Sequence, residues 1–170
     1  MRIVTLKSTP VKLIGDLPPV GTHVPDFILT KTDLSDVTLE DFAGSVLILN
    51  IFPSIDTSVC AASVRRFNLE ASGLENVKIL CVSLDLPFAH KRFCEAEGIK
   101  NVMTVSELRN RDFGDKYGIR MINGPLAGLL ARSVLIIDGS AKVVYTQLVP
   151  EITQEPDYEA VLDFIKSLKS

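Results

Sequence analysis

Three cysteines, Cys60, Cys81 and Cys94, are the residues of this sequence best suited to chemistry. A thiolate can act as a nucleophile, a metal ligand or a two-electron reductant. Cys60 follows the turn-forming stretch Pro53-Ser54-Ile55-Asp56-Thr57 and lies at the start of a segment with helical spacing. Thr57 is of a type that caps helices, which makes Cys60 the third helical residue. Backbone N–H groups there lack intrahelical partners, and the positive end of the helix dipole is close. Both favour a thiolate over a thiol. The alternative is a small core residue, since free cysteine is among the most buried types. Cys94 follows Phe93 in a second helical stretch and has Glu95 and Glu97 beside it. A partly exposed thiol of this kind suits exchange better than packing. Cys81 lies between Leu80 and Val82 in an apolar strand and reads as core.

Arg132 is a signal of a different kind. It interrupts the apolar run Leu129-Leu130-Ala131-Arg132-Ser133-Val134-Leu135, and an unpaired charge is costly to bury. The guanidinium therefore either snorkels to solvent or pairs with an anion such as a thiolate. Metal binding is disfavoured. There is no Cys-x-x-Cys, and His23 and His90 lie far apart along the chain, whereas zinc sites show ligands paired at short spacing. The same absence argues against a thioredoxin-type disulfide exchanger. Gly124-Pro125-Leu126-Ala127-Gly128 is glycine-rich, but no Gly-Lys-Ser/Thr follows it and no strand closely precedes it, so it does not read as a phosphate loop. A hydrolase needs a base, and neither histidine is near Cys60 in sequence; folding can still join distant residues.

Strand-like and helix-like stretches alternate around these residues. Residues 3–6 and 11–14 flank Ser8-Thr9-Pro10 and predict a small hairpin. Residues 46–52 form a continuous apolar run, as expected of a strand covered on both faces. A helix is expected over residues 58–72, with Cys60, Val64, Phe67 and Ala71 on one face and Gly73 as its stop. A second apolar strand spans 77–84, and Pro87 opens a helix that ends at Gly98. A short strand is expected over 101–105 and a helix over 106–117, capped by Ser106. Residues 133–138 and 142–148 read as strands joined by a two-residue turn at Gly139-Ser140. Tyr158, Val161, Leu162, Ile165 and Leu168 mark a final helix, with Asp157 at its start and Lys166 and Lys169 near its end. This order predicts one α/β domain over 1–170, with a mixed central sheet and helices on both faces. Such sheets place reactive groups beyond the carboxyl ends of strands, where residues 53–57 fall.

Composition narrows the function classes. The chain has 170 residues, a net charge of −3, 46% hydrophobic and 23% charged residues. That is the profile of a globular domain, with enough chain to bury a core without disulfides. The charge balance offers no footprint for nucleic acid or for an anionic membrane. The longest apolar run is far shorter than the ~20 residues that span a bilayer. The opening residues Met-Arg-Ile-Val-Thr-Leu-Lys-Ser lack an apolar core and a cleavage site, so a cytoplasmic setting is expected. An odd, sparse cysteine count fits a reducing compartment.

With these residues assembled, a resemblance becomes visible. Pro53-Ser54-Ile55-Asp56-Thr57-Ser58-Val59-Cys60 resembles the Pro-x-x-x-Thr-x-x-Cys active-site loop of peroxiredoxins, and Ala61-Ala62-Ser63-Val64-Arg65-Arg66-Phe67-Asn68 continues it. Residues 124–133 resemble the arginine segment of the bacterial thiol peroxidase branch, and Cys94 sits where that branch carries its resolving cysteine. The resemblance runs over nearly the whole chain. It implies a thioredoxin-like fold with an N-terminal β-hairpin, a homodimer, no cofactor, and reduction of hydrogen peroxide and alkyl hydroperoxides with electrons from thioredoxin. It also implies roles. Cys60 is the peroxidatic nucleophile and Cys94 the resolving thiol, joined as a Cys60–Cys94 disulfide within one chain. Thr57 and Arg132 hold the cysteine and the peroxide, and Pro53 shields the site. A non-catalytic thioredoxin-like binding module is the rival reading; loss of Thr57 or Arg132 would have favoured it, and both are present.

Overall fold

Residues 2–168 are described in the computed structural model of the chain. They open with a hairpin of β1 (Ile3–Leu6) and β2 (Thr9–Lys12), which forms a separate two-stranded sheet. Next come β3 (Ile28–Lys31), β4 (Asp36–Thr38), a 3-10 turn at Leu39–Phe42, β5 (Val46–Ile51) and helix α1 (Ser58–Ala71). They are followed by β6 (Val77–Ser83), α2 (Pro87–Glu97), β7 (Met103–Ser106) and the short α3 (Asp112–Lys116). The chain closes with β8 (Ser133–Ile137), β9 (Val143–Leu148) and α4 (Tyr158–Ser167). The main sheet has the order β4-β3-β7-β6-β5-β8-β9. β6 is parallel to β5 and β7, and β8 is antiparallel to β5. The sheet is therefore mixed, as expected.

Strand alternation divides the interior into two cores. Leu47, Leu49 and Ile51 of β5 face a cluster with Leu80, Val82, Leu135, Phe27, Phe113 and Tyr117, closed by Val4 and Val11 of the hairpin. Ile48 faces the opposite cluster, with Val64 and Phe67 of α1, Phe93 of α2 and Val161 and Ile165 of α4. Helices thus lie on both faces, unequally: α1, α2 and α4 cover one, and the five-residue α3 and the hairpin help cover the other. The run 46–52 is apolar but for the buried Asn50 because both faces of its strand are covered.

Several local expectations shift. The hairpin turns at Lys7 and Ser8, both at positive φ, so Pro10 lies inside β2 opposite Thr5 rather than in the turn. Helix α1 is capped at Ser72, one residue before Gly73. The strand expected over 101–105 runs from Met103 to Ser106, and the helix expected over 106–117 shrinks to Asp112–Lys116. Ser106 caps no helix: it pairs with Ser83 in the sheet, and its hydroxyl accepts a bond from the Leu108 N–H. The β8–β9 turn is longer than two residues. Asp138 Oδ1 accepts from the N–H groups of Ser140 and Lys142, and Ala141, not Gly139, carries the positive φ. Strands β3 and β4 had no sequence counterpart. Asp157 caps α4 through a bond to the Ala160 N–H, while Lys169 lies outside the described residues.

Candidate active site

The start of α1 is built from the loop that leaves β5. The Phe52 N–H bonds to the Val82 carbonyl and extends the sheet by one residue, and Pro53, buried, then turns the chain. Thr57 takes the N-cap position in extended backbone geometry, which makes Cys60 the third helical residue. The Thr57 hydroxyl does not cap; it donates to the Ser54 carbonyl at 3.0 Å, as does the Thr57 N–H at 3.1 Å. The first intrahelical bond runs from the Ala61 N–H to the Thr57 carbonyl at 2.9 Å. The amides of Ser58, Val59 and Cys60 precede it and have no helical carbonyl to bond. They form the positive end of the helix dipole, one turn or less from Cys60.

Arg132 completes this environment. It is 2% exposed, so the snorkelling alternative does not hold. Its Nε and one terminal nitrogen both donate to the Ile152 carbonyl, at 3.0 and 2.8 Å, and the other terminal nitrogen lies 3.4 Å from Cys60 Sγ. Cys60 is itself fully buried. The sulfur is packed, as the core reading expects, and a guanidinium is packed against it.

The loop carrying Ile152 is held in turn by the N-terminal hairpin. The Thr5 N–H donates to the Pro150 carbonyl and the Ile152 N–H to the Thr5 carbonyl, both at 2.8 Å. The Glu151 carboxylate accepts from the Ser8 N–H, the Lys7 N–H and the Thr5 hydroxyl. Bonds from the Ser8 and Thr153 amides and from the hydroxyls of Thr153 and Thr5 hold Glu151 down to about 2.

The other two cysteines belong to the same apolar cluster as Cys60 or pack against it and bond to other partners, and all three thiols are free. Cys94, half-buried on α2, has its sulfur 3.4 Å from the Thr104 hydroxyl. Burial raises its pKa, with the Thr104 bond acting against the shift. Cys81 is fully buried on β6, where desolvation pushes its thiol up to about 12 and leaves it protonated and inert. The sequence left unassigned a polar cluster beneath the loop: Ser54, Ser83, Asp85 and His90. Asp85 accepts from the Ser54 hydroxyl, the Ile55 N–H and the Ser83 hydroxyl at 2.8, 2.7 and 2.6 Å. The only sequence signal for it was the polar pair Ser83 and Asp85 at the carboxyl end of an apolar strand.

The redoxin family model matches residues 19–162. The chain belongs to that family. Over 148 residues, 87% of this chain and 89% of its relative, this redoxin is 56% identical to a thiol peroxidase of Corynebacterium glutamicum. That places it in the thiol peroxidase branch, as the resemblance implied. A peroxiredoxin-like protein from Aquifex aeolicus superposes with a TM-score of 0.94 at 43% identity, covering 99% of this chain and 98% of that one. The thiol peroxidase from Chromobacterium violaceum superposes at 0.91 with 22% identity, covering 100% and 99%, and shares the thioredoxin-like peroxiredoxin fold.

Beside the Cys60 loop of this redoxin lies an open, mostly apolar trough of about 460 Å³, lined by Pro53, Leu84, Leu86, Ala89 and Leu129 together with the polar Ser54 and Asp85. Among the described residues, no group of three His, Cys, Asp or Glu side chains is placed to hold a metal ion, and no helix is long and apolar enough to cross a membrane.

Proposed function

We propose that this redoxin is a thiol-dependent peroxidase that reduces hydrogen peroxide and alkyl hydroperoxides through Cys60. The observation that carries the reading is the 3.4 Å contact between Arg132 and a sulfur at the third position of α1. Peroxide cleavage needs a thiolate attacking one oxygen while negative charge grows on the other. The Cys60 sulfur gives two electrons, an S–O bond forms, the O–O bond breaks, and the departing alkoxide takes a proton. Arg132 and the free amides of the first turn favour the sulfur anion and the developing charge. The Thr57 hydroxyl has already committed its proton to the Ser54 carbonyl. Towards peroxide it therefore acts as an acceptor of the O–H, which orients the oxygens along the line of attack. Pro53 closes the apolar wall of the site and keeps water from it.

Attack leaves a sulfenic acid on Cys60. Condensation with the Cys94 thiol forms a Cys60–Cys94 disulfide and releases water. The family resemblance makes thioredoxin the dithiol that reduces this bridge, and it also carries a homodimer, a cytoplasmic setting and a single-domain chain. The trough beside Pro53 offers an alkyl chain an apolar wall.

The test is peroxide consumption by the purified protein with thioredoxin and thioredoxin reductase, followed by mass spectrometry of protein oxidised without reductant. The expected results are turnover and a peptide pair joined through Cys60 and Cys94. Absence of peroxide consumption overturns the function, and a bridge to Cys81 overturns the resolving role.

A further inference from the structure

We infer that Asp85 is a positioning residue of the Cys60 loop, linking Ser54 and Ile55 to helix α2 through Ser83 and His90, and that it thereby sets how often Cys60 ends as a disulfide rather than as a sulfinic acid. The inference rests on the peroxidase reading above and adds residues to it that touch neither peroxide nor Cys60.

Asp85 holds the loop twice. Its Oδ1 accepts from the Ser54 hydroxyl at 2.8 Å, and its Oδ2 accepts from the Ile55 backbone at 2.7 Å. Ser54 in turn offers its carbonyl to both the hydroxyl and the N–H of Thr57, the N-cap of α1. The first turn of α1 is therefore two hydrogen bonds from Asp85.

On its other side Asp85 reaches α2. The Ser83 hydroxyl gives its one proton to Asp85 Oδ2 at 2.6 Å, so it must accept from His90 Nε2, 2.8 Å away. This order of donors places a proton on His90 Nε2. Nδ1 is fully buried and has no hydrogen-bond partner among the described residues. An unpartnered buried nitrogen is a poor choice for packing alone; the useful atom of His90 is Nε2. His90 lies one turn before Cys94 on the same face of α2. The chain of bonds, exposed at Thr57, part-buried at Asp85 and buried at His90, thus begins at the cap beside Cys60 and ends one turn before Cys94. Two further links join the same elements, Arg92 to Asp56 and Arg65 to Glu97, but both are exposed ion pairs of small worth.

The consequence concerns partition of the sulfenic acid. Disulfide closure needs the two cysteines on one scale of distance, with Cα atoms within about 7 Å. Cys60 and Cys94 sit in separate, intact helices. Both thiols are free, and the Cys94 sulfur lies against Thr104; on this inference the loop and α2 loosen before closure, and the Asp85 chain opposes loosening of both. While the loop stays closed, the sulfenate remains in the peroxide-reactive pocket. A second peroxide can then transfer an oxygen to it, giving sulfinate and alcohol. Strengthening the chain favours the first attack and the over-oxidation; weakening it slows attack and favours the disulfide.

The experiment measures the peroxide concentration at which half of Cys60 ends as sulfinic acid rather than as the Cys60–Cys94 disulfide. Reduced protein is pulsed with hydrogen peroxide, and the products are counted by mass spectrometry. Asp85→Ala and His90→Leu are expected to raise that concentration by roughly fivefold, the equivalent of one net hydrogen bond. His90→Gln, whose amide can donate to Ser83 as Nε2 does, is expected to stay within about twofold of the parent. Asp85→Asn, which keeps the shape and most of the bonds, is expected to fall between and serves if the alanine variant fails to fold. An unchanged or lowered concentration in His90→Leu and in either Asp85 variant overturns the inference. A parent protein that consumes no peroxide in the same assay overturns the peroxidase reading instead.

Discussion

Arg132 spends two of its donors on the carbonyl oxygen of Ile152 and turns one remaining nitrogen to Cys60 Sγ. The forked bond fixes the plane of the guanidinium, so its distance from the sulfur follows from the backbone position of residue 152. Lysine offers a point charge on a flexible stem and cannot reproduce that fork. In Arg132→Lys, oxidation of Cys60 by peroxide is expected to slow by about 10- to 100-fold, and in Arg132→Met by more, since one oriented donor is worth roughly 2.7–4 kcal/mol in related settings. Single-turnover stopped-flow oxidation checks this. Equal rates in Arg132→Met and the parent would make the arginine merely a packed residue.

The three cysteines are expected to separate cleanly by function. Cys60→Ser should lose turnover by orders of magnitude, because an unactivated hydroxyl cannot replace a thiolate. Cys94→Ser should reduce about one equivalent of peroxide, stall without the bridge, and accumulate sulfinic acid on Cys60. Cys81→Ser should keep its activity and lose about 1 kcal/mol of stability from the buried site. Peroxide consumption with thioredoxin and a denaturant titration of each variant distinguish these outcomes.

Acid should act through Asp85 and Glu151. Burial raises the pKa of Asp85, but the nearby His90 ring and bonds from Ser83, Ile55 and Ser54 outweigh it and hold the group at about 2. Glu151 is likewise held at about 2. Folded-state values below the unfolded ones mean that the stabilisation is fully present above the ordinary carboxylate range. It is lost as pH falls from there through about 2. For Asp85 the loss is on the order of 2 kcal/mol. Unfolding free energy measured between pH 5 and about 2 should therefore fall, and Asp85→Asn should flatten part of that slope. An equal slope in the variant would remove Asp85 from the account.

Oxidation should open the helix starts. Amide hydrogen exchange is expected to rise over residues 59–64 and 92–96 when the Cys60–Cys94 bridge forms, because both helices must unwind locally to bring the sulfurs together. The bridge should also be readily reduced, since a geometry reached by unwinding stores strain. Equal protection in both redox states, with the bridge proven, would show a preformed pair.

The candidate nucleophile was legible because its signals are local. Pro53, Thr57 and Cys60 follow one another within a single loop and the helix it feeds, and an apolar strand announces where they stand. Arg132 announced itself as a charge where none belongs. Asp85 and His90 gave no such sign. A serine, an aspartate and a histidine near a helix start are ordinary residues until the sheet brings β6 beside β5 and lays residues 83–85 under the Cys60 loop. The missed strands β3 and β4 fail for a related reason. They pair with each other over three positions and only β3 pairs with β7, over two, and their side chains carry no sustained alternation. The helix expected from Ser106 was lost because Glu107, polar by type, is fully buried against Arg120 and the Gly114 N–H.

The N-terminal hairpin has a consequence for the order in which the molecule is made. Thr5 leaves the ribosome early, yet its partner Glu151 lies 146 positions later. Residues 120–123 already bond to the hairpin's second strand, but until residues 150–152 emerge Arg132 lacks the carbonyl that orients it. A nascent chain that already displays Cys60 therefore carries an ordinary thiol rather than a peroxide-seeking one. The site gains the anchor of its arginine only after residues 150–152 have been made, and Tyr158, Val161 and Ile165, which pack in the cluster around Cys60, follow later still. Fragments ending before Pro150 should accordingly react with peroxide at the rate of a free cysteine, and a full-rate fragment would refute this late arming.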